Sequence, residues 1–92
     1  MGQKPRAKPE RLALKLQTIR LQLGLTLEQL AERLQDVPGA PGTGLISRYE
    51  HGEREPTLLI LLAYARLAGV HMEVLVDDEL DLPARIPGRK RF

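Results

Sequence analysis

A chain of 92 residues with a formal net charge of +2 has room for one small domain. It contains no cysteine, which excludes a disulfide scaffold, a thiolate zinc site and a cysteine nucleophile. Two tyrosines, one phenylalanine and no tryptophan leave an aliphatic core, and Leu, Ile, Val and Phe at 29 % of the chain are enough to build one.

Eighteen leucines against four valines and four isoleucines favour helix over strand, because unbranched side chains keep more rotamer freedom in a helix. The longest apolar run, Leu58 to Ala65, falls far short of the roughly 20 residues of a membrane span. Lys15, Gln17, Arg20 and Gln22 interrupt the stretch after the basic start, so a signal peptide is not expected. The chain reads as a cytoplasmic protein. Its charge is uneven. Lys4, Arg6, Lys8 and Arg11 crowd one end, and Arg85, Arg89, Lys90 and Arg91 the other. Glu73, Asp77, Asp78, Glu79 and Asp81 form an acidic block before the second. Basic arms on a nearly neutral body suit a polyanionic partner or serve only as solubilising tails.

In chain order, Pro5 and Pro9 mark residues 1–9 as a flexible basic arm. Leu12, Leu16, Ile19 and Leu23 recur as one apolar stripe and predict a helix over 10–23, stopped by Gly24. Thr26 and Gln29 have capping-box spacing and start a second helix over 27–35, with Leu27, Leu30, Ala31 and Leu34 apolar. Residues 36–42 are turn chemistry throughout. Thr43 is the candidate cap of a short helix over 43–51, whose inner face is Ile46, Tyr49 and Glu50 and which Gly52 ends. Thr57 caps a helix over 58–68, followed by Gly69, and a last short helix covers 71–79. The expected architecture is all-α: a compact five-helix domain over 10–80, between the arm and a flexible basic tail over 81–92.

Three separated segments then stand in a telling order. Arg20-Leu21-Gln22-Leu23-Gly24-Leu25-Thr26 comes first, then Leu30-Ala31, then Ile46-Ser47-Arg48-Tyr49-Glu50-His51-Gly52-Glu53-Arg54-Glu55-Pro56. Together they resemble the phage repressor/Cro-type (Xre-like) helix-turn-helix family over residues 11–76. The resemblance implies a five-helix domain that binds double-stranded operator DNA, usually as a two-fold dimer on a palindromic site. It makes 43–51 the recognition helix in the major groove. Arg48 is then the best base reader, since a guanidinium bonds guanine O6 and N7 together. Thr43, Gly44 and Ser47 face bases or phosphates, and Leu45 meets a thymine methyl or packs the long turn. Thr26, at the free N–H groups of the second helix, together with His51 and Arg54, faces phosphates. The resemblance also implies a buried ion pair between Arg20 and Glu50.

Some positions depart from the family pattern. Leu27 stands where the family usually has a DNA-gripping Gln, and the 36–42 turn is longer by about five residues. Gly42 and Gly44 replace common base-reading side chains, and Glu53 and Glu55 add negative charge. These support a second reading, a protein-interaction module on the same fold, antitoxin-like or an accessory subunit, with a protein partner and little base readout. No nucleophile–base pair, phosphate-cradling loop or metal-ligand spacing is present, so neither an enzyme nor a cofactor or metal is expected. The acidic block lacks the spaced ligands and turn glycine of a calcium loop and reads as a solvated helix end.

The fourth helix is apolar almost all round. With Leu58, Leu61, Leu62 and Ala65 assigned to the core, Leu59, Ile60, Ala63 and Leu67 remain for an interface. A homodimer through those residues, aided by Val74 and Val76, is the expectation. The competing one is that the arms or the long turn fold back over them.

Overall fold

A computed structural model describes residues 8–89 of the chain. Residues 1–7 and 90–92, with most of the basic arm and the end of the tail, lie outside the described residues. The described part is all-helical, without a strand: α1 (Leu12–Gln22), α2 (Leu27–Arg33), α3 (Thr43–Glu50), α4 (Leu58–Ala68) and α5 (Met72–Val76). No helix among the described residues is long and apolar enough to cross a membrane.

The expected stripes of α1, α2 and α3 are inside. Leu12, Leu16 and Ile19 meet Leu30 of α2, Leu34 at its C-cap, and Ile46 and Tyr49 of α3 in one core, with Leu23, Leu27 and Ala31 partly covered. Thr26 forms the expected capping box: its hydroxyl accepts from the Gln29 amide at 3.1 Å, and Gln29 Oε1 accepts from the Thr26 amide at 2.9 Å. Thr57 caps α4 through the Ile60 amide.

Several expected details are corrected. Thr43 does not cap α3; Gly42 is the N-cap, and Thr43 is the first helical residue with an exposed side chain. The last helix ends at Val76 instead of 79, because Asp77 leaves the helical region and its carboxylate accepts from the Glu79 amide at 2.9 Å. In α4 the buried stripe is Ile60, Leu61, Tyr64, Ala65 and Ala68. It keeps the expected Leu61 and Ala65 but is turned about 80° around the helix from the expected stripe. A helix apolar on every side carries no period from which to read its phase. Leu58, expected inside, is 71 % exposed, whereas Ile60, expected at an interface, is 1 % exposed. Leu62 is only partly covered.

The expected loose tail is docked over 82–89. Ile86 is fully buried in the core. Its amide donates to Gln22 Oε1 at 2.9 Å, and Gln22 Nε2 donates to the Ala84 carbonyl at 3.1 Å. The Gly88 amide donates to the Ala68 carbonyl at 2.8 Å. A Cβ at Gly88 would lie 1.8 Å from the Leu67 carbonyl oxygen, so only glycine allows this approach.

The three aspartates of the acidic block are structural. Asp78 accepts from the amides of Glu10 and Arg11, just ahead of α1, at 2.9 and 3.0 Å; α1 starts two residues later than the sequence pattern suggests. Arg11 also pairs with Asp81. Lys15, an interruption in the sequence pattern, is buried and donates to the carbonyls of Val74 and Asp77 at 2.7 and 2.9 Å, closing the C-terminal end of α5. Burial lowers its pKa, and the Arg11 charge adds to this.

Those two amide hydrogen bonds hold the Asp78 carboxyl below its ordinary value of 3.8. The folded state therefore prefers the charged form. That stability is fully present above the unfolded value and is lost as the pH falls through the folded one. Asp78→Asn is expected to flatten the loss of stability as the pH falls below about 4. Urea unfolding followed by circular dichroism across that range checks this. An unchanged slope would show that Asp78 does not stabilise the fold.

Candidate nucleic-acid interface

The α3 helix is fixed at its C-terminal end and on its inner face. Ile46 and Tyr49 sit in the core. After His51 the chain turns at Gly52 with φ +75°, where the Gly52 amide donates to the Tyr49 carbonyl and the Glu53 amide to the Arg48 carbonyl. Glu50 closes the inner face by a two-pronged pair with Arg20: Nε to Oε2 at 2.7 Å and Nη2 to Oε1 at 2.9 Å. Arg20 Nη1 also donates to the Leu25 carbonyl at 3.0 Å, tying α1, the α1–α2 turn and α3 together. The Glu50 carboxylate raises the guanidinium's pKa further.

The outer face is then set. Thr43, Gly44, Arg48 and His51 are exposed along one side of α3, and Ser47 between them is half-buried. Arg48 makes no hydrogen bond or ion pair through its side chain among the described residues. Its guanidinium is free to meet a ligand. His51 Nδ1 lies 2.7 Å from the Ser47 carbonyl oxygen, which can only accept, so Nδ1 carries the proton. The outward Nε2 of a neutral His51 then accepts, and it donates to a phosphate only when the ring is protonated. Ser47 Oγ is 3.4 Å from the same Nδ1, a weak contact.

Other expected contacts are redistributed. Leu45 is partly buried against the core, which favours packing over a thymine methyl. At Thr26 the capping box consumes the side-chain oxygen and the Gln29 amide, so fewer free N–H groups remain for an anion. A Cβ added at Gly44 or Gly42 meets nothing within 4 Å, so packing does not require glycine at either position.

Arg54 and Lys8 share a small cavity of about 140 Å³ beside Tyr49 and Gly52. Lys8 Nζ donates to the Gly52 carbonyl at 3.4 Å, which sets the start of the described chain at the end of α3. Burial raises the Tyr49 pKa, and the Arg54 charge opposes that shift. Lys8 was absent from the expected site residues; its only sequence signal was membership of the basic arm. Lys8 and Arg54 thus stand together just beyond the end of α3, after the exposed Arg48 and His51, with Glu53 as an exposed negative neighbour. Among the described residues no group of three or more His, Asp or Glu side chains could hold a metal ion.

A scan against protein-family models found no match, and a search of curated proteins found no relative.

Proposed function

We propose that this chain is a cytoplasmic, sequence-specific DNA-binding transcriptional regulator, a repressor of the Xre/Cro type, which reads the major groove of a palindromic operator with α3. The observation that carries the reading is Arg48: an exposed guanidinium without a partner among the described residues, on the outer face of a helix whose inner face and end are locked. A base reader needs a rigid mount, because bidentate bonding to guanine tolerates little displacement. Lys8 and Arg54 at the end of the helix suit backbone phosphates, which supply affinity without base choice.

Arg48→Ala is expected to weaken binding to the preferred duplex by about 1–3 kcal/mol and to relax base choice at one position per half-site. The experiment is selection of bound sequences from random duplexes at several salt concentrations, followed by titration of parent and variant on the enriched site. An unchanged ratio of cognate to random binding in the variant would remove α3 as the reader.

The bare backbone at Gly44 and the occupied cap at Thr26 favour the second reading, a protein-interaction module on this fold. That reading predicts no enriched duplex at any salt concentration. No catalytic role is assigned to any residue.

A further inference from the structure

One face of α4 is only partly covered by the core. Leu59 is half exposed, and Ala63 and Leu67, at i+4 and i+8, are only partly covered. The segment after α2 does not close over this strip. It forms the opposite wall of an open groove of about 420 Å³ along it, and Arg33, Asp36 and Arg66 stand among the groove's lining residues. These three exposed side chains make no ion pair or hydrogen bond among the described residues.

We infer that this groove is the contact surface for a second copy of the chain. A two-fold contact brings one patch against itself, so a border of one sign would repel its copy. Here the border carries both signs, and the Asp36 of each copy can face an arginine of the other. An apolar centre within a charged border is also the anatomy of a protein interface. A second open apolar groove, around Leu58 and Val76, has Glu55 as its only charged lining residue among the described residues, so it offers a copy of itself no opposite charge. The surface therefore differs from the sequence expectation. Ile60 belongs to the core, Val76 lines the other groove, and the segment around Arg33 and Asp36 takes their place. The inference rests on α4 and its groove and not on the DNA reading.

The test is sedimentation equilibrium of the full chain without DNA, with circular dichroism to follow helix content. The parent is expected to dimerise reversibly in the micromolar range. Leu59→Glu, at an exposed position, is expected to raise the dissociation constant at least about tenfold, because it buries an unpaired charge. Two charge variants decide the pairing. Asp36→Arg leaves only cations on the border, and Arg33→Asp with Arg66→Asp leaves only anions. Each alone is expected to sediment as a monomer, and an equimolar mixture as a heterodimer. A parent that stays monomeric at high micromolar concentration, or a mixture that sediments no faster than its components, would overturn the inference. Neither result touches the proposed DNA binding, which is read separately by duplex selection.

Discussion

Glu50→Gln is expected to destabilise the fold by about 3–5 kcal/mol, since it leaves a guanidinium in a largely water-free site without its countercharge. The Glu50 side chain is 3 % exposed and that of Arg20 15 %, so water can replace little of what is lost. For a domain of this size each kcal/mol corresponds to about 4–8 °C, and the melting temperature should fall by about 12 °C or more. The neighbouring Tyr64 hydroxyl offers no relief. It is buried and has no hydrogen-bond partner among the described residues, and burial pushes its pKa far up, with the Glu50 charge adding to the shift. Replacing both partners, Arg20→Met with Glu50→Leu, should recover much of the loss, because the cost arises from the unpaired charge more than from the absent pair. Recovery stays incomplete, since the Leu25 carbonyl loses its donor. Thermal unfolding followed by circular dichroism measures all three chains. A Glu50→Gln variant melting within a degree or two of the parent would mean that the pair contributes nothing.

Ile86→Ala should cost about 2–5 kcal/mol, the range for truncating a fully buried aliphatic side chain. A residue in a loose tail would cost less than about 0.5 kcal/mol. The difference is large because Ile86 is 2 % exposed and joins the same core as α1 and α4. Its loss also weakens the hold on the tail. The Gln22 bonds to Ala84 and Ile86 and the Gly88–Ala68 bond close only when the segment lies against the body. Urea unfolding measures the stability, and limited trypsin digestion reports docking through cleavage after Arg85. The variant should be cut much faster than the parent. Equal midpoints and equal cleavage rates would show that 82–89 is not part of the folded unit.

Much of the helical architecture is written locally. Thr26 with Gln29 and Thr57 mark helix starts because a side-chain oxygen satisfies an N–H two or three residues on, a bond that needs no distant partner. Gly24, Gly52 and Gly69 all take positive φ after helix ends, which glycine does without steric cost. The stripe Leu12, Leu16, Ile19 names the inner face of α1 because polar residues separate its members. The outer positions of α3 follow once Ile46 and Tyr49 are known to be inside, so Arg48, His51 and Thr43 were legible as a candidate surface before their placement was.

Other features depend on residues far apart in the chain. The phase of α4 was misread because apolar side chains surround it, and only packing selects Ile60 and Tyr64 over Leu58 and Leu62. Lys15 looked like a break in a pattern, yet its ammonium serves carbonyls 59 and 62 residues away. Asp78 read as solvated charge and instead holds the two amides just ahead of α1, 67 and 68 residues away. The segment 82–89, rich in proline and arginine, carries no periodicity to suggest docking. Ile86 is buried because the other helices leave a place for it. Local hydrogen-bond geometry and periodicity can be read along a chain. Which of several equivalent apolar faces turns inward, and which distant polar group meets which, depends on burial that exists only after the helices have packed.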